Sequence, residues 1–285
     1  MGQYQLFEYL SDDGLRLFAR DYNHCPGAPT ILCLHGLTRN SADFEPLCAG
    51  LAHHYRLIVP DQRGRGLSDN DRHPENYHPL RYNLDMLTLL HALNIDRVHI
   101  IGTSMGGIMG MLLAAEHPRL VGSLVLNDIG PEVELAGVRM IAAAVGAPPR
   151  YRNWEEAIQR IAQIQMAAFP DFTMADWQTF AHRTCRETDD GVVPDYDPAI
   201  GRVFAAAGDT MASALWDTFE QLSALPILVI RGALSSILSR ACCERMRAVH
   251  PQLRIVEIGN RGHAPLLDEP PARVGIEAFL ALHAQ

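Results

Sequence analysis

Ser104 lies at the centre of a G-x-S-x-G pattern that begins at Gly102 and ends at Gly106. An apolar run, 98–101, precedes the pattern and a helical pattern follows it, which is the strand–turn–helix setting of a nucleophilic serine. A serine hydroxyl is a weak nucleophile and has to be presented on a sharp turn, where bulky side chains do not fit two positions before or after it. The pattern predicts that Ser104 is a nucleophile; the alternative is an ordinary glycine-rich turn.

A nucleophilic serine requires a general base, and His263 is the predicted one. This histidine follows the last apolar run, 253–258. Because the carboxyl ends of parallel strands lie along the same edge of a sheet, the imidazole is expected to reach Ser104. The alternative is a neutral histidine on the surface.

The reaction of a serine with a carbonyl group also needs two N–H donors for the developing oxyanion. Met105, the residue after the predicted nucleophile, is expected to supply one of them. The Leu37 N–H is the candidate for the other, because Gly36 lets the backbone of that loop approach closely. His35 is expected to brace the same loop rather than to act on a substrate.

These residues are distributed along a chain in which short apolar runs alternate with helical patterns. Segments 4–10 and 15–22 predict an antiparallel hairpin. Later apolar runs are typical of strands that are buried on both faces of a parallel sheet; they span 30–34, 55–59, 98–101, 120–126, 227–230 and 253–258. Helical patterns occupy 80–93, 105–116 and 241–249. The alternation predicts an α/β fold with a doubly wound, mostly parallel sheet.

One interval interrupts this alternation. Between Pro131 and Ile227 the chain is rich in helix formers and large apolar residues. We therefore expect a helical lid at 135–212, inserted between two strands of a core domain that comprises 1–134 and 213–285.

Composition excludes several classes of protein. The formal net charge is −9 and no basic run stands out, so nucleic-acid binding is not expected. The chain contains no lysine, which excludes Schiff-base chemistry and the Walker A motif. No C-x-x-C or H-E-x-x-H motif, signal peptide or membrane-spanning stretch is visible. We expect a cytoplasmic protein that acts on a small molecule and uses no metal or cofactor.

Four motifs in one order make the sequence similar to the α/β-hydrolase superfamily. They are His35-Gly36, the segment 61–68, the segment 102–107 and Gly262-His263. The closest resemblance is to its lidded branch of small esterases, lactonases and carbon–carbon bond hydrolases. It implies a sheet of about eight strands, a lid after strand 6, a catalytic triad with an oxyanion hole, and a structural turn at 61–68. Ser104 argues against epoxide hydrolases and dehalogenases, which have aspartate at that position.

The sequence departs from the family pattern at the acidic residue that should orient the histidine. The resemblance implies an acidic residue after the run 227–230, and Ser236 occupies that position. Some relatives carry the acid one strand earlier, where this chain has Asn127 and Asp128. Neighbouring residues of an extended segment point in opposite directions, so only one of this pair can face His263. Asp128 is the predicted acid; the alternative is that it only stabilises the following turn.

Three functions remain open on these residues. The first is hydrolysis of a small carboxylic ester or lactone through an acyl-enzyme on Ser104. The second is carbon–carbon bond hydrolysis of a vinylogous diketone acid from aromatic degradation, which calls for a lid arginine to bind the carboxylate; the candidates are Arg150, Arg152, Arg160, Arg183 and Arg202. The third is a degenerate member that binds a ligand with little turnover, because Ser236 carries no charge.

Overall fold

The computed structural model describes residues 4–207 and 215–284. The strands in this part of the chain are β1 (Gln5–Leu10), β2 (Arg16–Tyr22), β3 (Thr30–Leu34), β4 (Arg56–Asp61), β5 (Val98–Thr103), β6 (Val121–Asn127), β7 (Cys185–Thr188), β8 (Gly191–Pro194), β9 (Ile227–Gly232) and β10 (Arg254–Ile258). The α-helices are α1 (Glu45–Leu51), α2 (Pro79–Ala92), α3 (Met105–Glu116), α4 (Leu135–Val145), α5 (Trp154–Gln165), α6 (Met174–Thr184), α7 (Pro198–Ala207), α8 (Trp216–Gln221), α9 (Arg240–Val249) and α10 (Pro270–His283). Two short 3₁₀ helices cover Ser41–Phe44 and Pro74–Asn76.

Eight of these strands form one sheet in the order β1-β2-β4-β3-β5-β6-β9-β10. β2 pairs antiparallel with β1 and with β4, and the other neighbours pair in parallel. The prediction of a mostly parallel, doubly wound sheet of about eight strands is therefore confirmed. Because β3, β5, β6, β9 and β10 run in the same direction, their carboxyl ends lie along one edge.

The sheet is covered on both faces, which explains why its central strands are continuous apolar runs. In β3, Leu32 and Leu34 belong to a core cluster that includes side chains of α2 and α3. Ile31 and Cys33 point the other way and pack with side chains of α1 and α10. Each such buried aliphatic side chain stabilises the fold by about 2 kcal/mol.

A separate group of elements lies between β6 and β9, and we call its described part, residues 135–207, the intervening segment. It contains α4 to α7 and has its own aromatic cluster, which includes Phe169, Trp177 and Phe180. The sequence predicted helices here, and the structure adds the antiparallel hairpin of β7 and β8. Two strands of four residues are too short to give a clear periodic signal. The expected boundary between residues 212 and 213 lies outside the described residues.

All six cysteines are free thiols, and five of them are buried. None of the helices in the described ranges combines the length and the apolar character that crossing a bilayer requires.

We predict that Gly106→Ala lowers the free energy of unfolding by about 3 kcal/mol, because overpacking a close backbone contact is destabilising. A Cβ at Gly106 would lie 2.0 Å from the carbonyl oxygen of Leu34. Gly259→Ala is the matched control, because no atom beyond its two chain neighbours lies within 4 Å of the position that its Cβ would occupy. Urea denaturation measures both variants. Equal midpoints would contradict the close approach.

Candidate active site

Ser104 stands on a sharp turn between β5 and α3. Its backbone lies in the left-handed region, at φ 52° and ψ −116°, and it forms the N-cap of α3 without a capping bond from its side chain. Both flanking glycines are needed there: a Cβ at Gly102 would lie 2.4 Å from the carbonyl oxygen of Gly106, and Gly106 itself packs on β3. The hydroxyl is therefore held clear of its own helix, at the carboxyl edge of the sheet.

His263 reaches this hydroxyl from the loop after β10. Its Nε2 accepts a hydrogen bond from Ser104 Oγ at 2.8 Å, and 13% of its side chain is exposed. The intervening segment supports the loop, because the Gly262 N–H donates to the carbonyl oxygen of Ala168 at 2.7 Å. The structure thus brings together the two residues that the sequence analysis singled out, although 159 positions separate them.

Asp128 completes the chain of hydrogen bonds. It follows β6 directly, in the left-handed region at φ 55°, which aspartate tolerates better than most residues. The His263 Nδ1–H donates to its Oδ2 at 2.8 Å. The buried carboxylate also accepts the Gly232 N–H at 2.8 Å and the Ser235 hydroxyl at 2.6 Å. These donors compensate the cost of burying its charge.

The histidine pairs with Asp128 and not with Ser236, the residue at the expected position of the family's acid. Ser236 is exposed, and the neighbouring Ser235 makes the contact with this site, as a donor to Asp128. The alternative role for Asp128, in the turn that follows it, is not what its side chain does. Since the carboxylate comes from the end of β6, the loop after β9 only has to supply donors.

Asn127 points away from the histidine, as the alternation of side chains requires. Its amide nitrogen donates to Thr103 Oγ1 at 3.0 Å and to the carbonyl oxygen of Pro265 at 2.8 Å. The backbone carbonyl oxygen of Asn127 accepts the Ser104 N–H at 2.9 Å. Asn127 therefore ties the ends of β5 and β6 to the loop that carries His263.

The two predicted oxyanion donors both lie beside Ser104. Met105 is the first residue of α3, so its N–H has no acceptor within the helix. Leu37 lies in the loop after β3 and lines the same cavities as Ser104. The buried guanidinium of Arg65 donates from Nε and Nη2 to the Leu37 carbonyl oxygen, at 2.9 and 2.7 Å, which fixes the orientation of this loop.

His35 braces that loop from inside the protein. It is fully buried; its Nδ1–H donates to the Gly36 carbonyl oxygen at 2.8 Å, and its Nε2 accepts the Gln62 N–H at 3.1 Å. Burial, assisted by the nearby charge of Arg65, lowers its pKa to about 3. The ring is therefore neutral near pH 7 and is fully used by the backbone.

Two cavities meet at Ser104, with Leu37 and Ile141 as further shared lining. The first, of about 200 Å³, is the Arg39 cavity, and Arg39, Asp43, Gln165, Phe180 and His263 help to line it. The second, of about 160 Å³, is the Met105 cavity, with a mostly apolar lining that includes Met105, Tyr77, Ile108, Val133 and Phe204. The intervening segment contributes to both, so it covers the serine.

The arginines expected to face a substrate carboxylate lie elsewhere. Arg150 pairs with Asp190, and Arg152 pairs with Glu156, on the exposed side of the intervening segment. Arg39 is the only arginine among the described residues that line the two cavities, and it lies in the loop after β3. The five candidates outside these linings are Arg150, Arg152, Arg160, Arg183 and Arg202.

One acidic group among the described residues has the spacing of metal ligands. Oxygens of Asp12, Asp13 and Asp85 lie within 4.8 Å of one another. Arg63 and Arg81 already form ion pairs with them, so the cluster is an ion-pair network, remote in sequence from Ser104.

Comparison with known proteins decides the family. A family model for the alpha/beta hydrolase fold matches residues 29–270. A 3-hydroxybutyrate-oligomer hydrolase from Cupriavidus necator is 35% identical over 273 residues, which cover 92% of each chain. A crystal structure of an alpha/beta hydrolase from Novosphingobium aromaticivorans superposes with a TM-score of 0.93, at 38% identity, over 99% of both chains. The chain belongs to the α/β-hydrolase family.

A third relative, a 2-(acetamidomethylene)succinate hydrolase from Mesorhizobium japonicum, is 28% identical over 236 residues, or 82% of this chain and 81% of that one. The predicted membership is therefore confirmed, and the protein is an enzyme of the hydrolase class. The degenerate, merely binding alternative loses its basis, because it rested on Ser236 as the partner of the histidine.

Sequence reasoning did not find every polar residue of this hydrolase site. Ser235 was assigned no role, although it is a neighbour of the expected acid position. Arg39 was also missed; its location in a loop after a strand, at the carboxyl edge, is the signal that could have indicated it.

We predict that His35 makes this hydrolase less stable as the pH falls. Its pKa of about 3 in the folded state lies below the ordinary 6.5, so between these values the unfolded chain binds a proton that the folded chain does not. The contribution of His35 to the free energy of unfolding therefore falls by about 1.4 kcal/mol per pH unit in that window. Urea denaturation at pH 7, 6 and 5 should show the advantage of the wild type over His35→Asn shrinking. A constant difference would contradict this.

Proposed function

We propose that this hydrolase cleaves a small carboxylic ester or lactone through an acyl-enzyme on Ser104, with His263 as general base and Asp128 as the acid of the triad. The observation that carries the proposal is the continuous chain of two 2.8 Å hydrogen bonds from Ser104 through His263 to Asp128. Such a chain lets the imidazole accept the hydroxyl proton while the carboxylate stabilises the resulting imidazolium.

In the first half of the reaction, Ser104 Oγ attacks the substrate carbonyl carbon and His263 Nε2 takes its proton. The carbonyl oxygen becomes an oxyanion, which the Leu37 and Met105 N–H groups stabilise as the oxyanion hole. Collapse of this intermediate breaks the ester bond. His263 then donates its proton to the leaving oxygen, and the acyl group remains on Ser104.

In the second half, water replaces the leaving alcohol. His263 removes a proton from the water, whose oxygen attacks the acyl carbon, and the same two N–H groups stabilise the second oxyanion. Ser104 Oγ leaves with the proton held by His263, which restores the enzyme. Side chains, backbone amides and water account for every step, so the proposed mechanism calls for no metal or cofactor.

The ester or lactone assignment draws on both the cavities and the relatives. Each cavity is smaller than the 300–1,000 Å³ typical of ligand pockets, which suits a small substrate. The name of the Cupriavidus necator relative, a 3-hydroxybutyrate-oligomer hydrolase, supports an ester bond as the target. The carbon–carbon hydrolase alternative called for a lid arginine, and none of the five candidates is among the described residues that line the cavities.

Coverage of Ser104 by the intervening segment supports a lid role for it within the expected lid, 135–212. Ile141, Gln165, Phe169 and Phe180 line the Arg39 cavity from this side and limit the access of water. The expected cytoplasmic location stays a prediction, and the six free thiols agree with it.

Ser104→Ala is expected to lower kcat for p-nitrophenyl acetate by at least about 10³-fold, because the nucleophile is removed. Ser236→Ala is the matched serine control and should keep the wild-type rate within a factor of about two, since this side chain is exposed. Release of p-nitrophenol measures both rates. Equal turnover by Ser104→Ala and the wild type would refute the acyl-enzyme mechanism.

Asp128→Asn is expected to lower kcat by about 10⁴-fold with little change in KM, because the carboxylate stabilises the imidazolium in the transition state. Adding Ser236→Asp to this variant should restore no activity, because the side chain at position 236 is exposed whereas His263 pairs with the buried Asp128. Steady-state kinetics of the single and double variants provide the measurement. Recovery of activity in the double variant would mean that position 236 can supply the acid.

A further inference from the structure

Arg39 places a cation at the wall of the active-site cavity, and the mechanism above does not use it. It lines the same cavity as Ser104 and His263. Gly36 lies between the two side chains: a Cβ there would be 3.5 Å from Arg39 Cγ and 3.8 Å from Ser104 Cβ. The arginine is therefore a near neighbour of the nucleophile.

The guanidinium is held in a fixed orientation. Its Nε and Nη2 donate to the two carboxylate oxygens of Asp43, at 2.7 and 2.6 Å, and its Cζ lies over the Phe180 ring, 4.4 Å from the centroid. Among the contacts of the described residues, Nη1 donates no hydrogen bond, and 19% of the side chain is exposed. The two N–H groups of Nη1 thus have no acceptor among the described residues, on a side chain that lines the cavity.

The position of His263 decides which half of the substrate meets Arg39. The imidazole gives its proton to the leaving oxygen, so the leaving alcohol has to lie on the histidine side of Ser104. Among the described residues, His263 lines the Arg39 cavity and not the Met105 cavity. The leaving half therefore occupies the Arg39 cavity, and the acyl half occupies the apolar Met105 cavity.

We propose that Arg39 binds a carboxylate on the leaving half of the substrate, so that the preferred substrates are esters of hydroxy acids that carry a free carboxyl group. The inference rests on the proposed ester hydrolysis. A linear oligoester of a hydroxy acid has this chemistry, with its terminal carboxylate on Arg39 and its penultimate acyl group on Ser104. Because Asp43 already balances the charge of Arg39, hydrogen bonds rather than net charge provide most of the recognition.

The test compares the linear dimer of 3-hydroxybutyric acid with its terminal primary amide, a neutral analogue of the same size. Chromatography of the released monomer gives kcat/KM for each substrate. The wild type should prefer the acid, and Arg39→Gln should lower the acid-to-amide ratio about tenfold. Arg150→Gln is the matched control, since Arg150 is paired with Asp190 outside the cavity, and it should keep the wild-type ratio.

A wild-type enzyme that cleaves the amide as well as the acid would overturn the inference, even if Arg39→Gln failed to fold. An unchanged ratio in a folded Arg39→Gln would overturn it too. Hydrolysis of p-nitrophenyl acetate by the wild type and by Ser104→Ala separates this failure from that of the proposed function. If Ser104→Ala loses that activity and the wild type shows no preference for the acid, the role of Arg39 is rejected and the proposed ester hydrolysis is retained.

Discussion

The contact between the first turn of α3 and the end of β3 is the constraint on which the site depends. Gly106 packs directly on the Leu34 carbonyl group, and Gly102 packs on Gly106, so backbone lies against backbone with no side chain between them. The same turn holds Ser104 at a positive φ of 52°. Since β3 continues into the loop of Leu37, the same contact also brings Ser104 close to that loop, and both residues line the same cavities.

The hydrogen-bonded chain of Ser104, His263 and Asp128 is assembled from the ends of different strands. Asp128 comes from β6 and His263 from the loop after β10, while β9 lies between these strands in the sheet. The β9 end contributes the Gly232 N–H and the Ser235 hydroxyl to the carboxylate. The carboxylate can therefore come from the end of β6 instead of β9 while the histidine keeps its position. The loop after β9 then donates hydrogen bonds to the carboxylate instead of supplying it.

The loop after β3 is fixed by polar groups that are themselves buried. His35 binds backbone on both sides of its neutral ring, and Arg65 donates to carbonyl oxygens of Leu37 and Arg63. The ring N–H of His35 and the guanidinium nitrogens of Arg65 named here thus have acceptors, which avoids the cost of leaving them unpaired. These contacts give the segment 61–68 a structural role, as its resemblance to the family implied.

The sequence by itself determined the parallel sheet, the turn at Ser104 and the candidates His263, Leu37 and Met105, because short-range patterns record them. Apolar runs that are buried on both faces mark strands, and glycines at fixed spacing mark a backbone that must approach another. The bounds of α3, Met105–Glu116, agree with the helical pattern of residues 105–116 for the same reason.

Only the tertiary structure decided between Asp128 and Ser236. The choice depends on which strand end lies next to the imidazole in the folded chain. Asp128 and His263 are 135 positions apart in the sequence, so no local pattern records their contact. The same holds for Arg39, whose guanidinium is held beside the cavity by Asp43 and by Phe180, 141 positions further along the chain. Contacts between residues far apart in the chain are fixed by packing, which the local sequence does not encode.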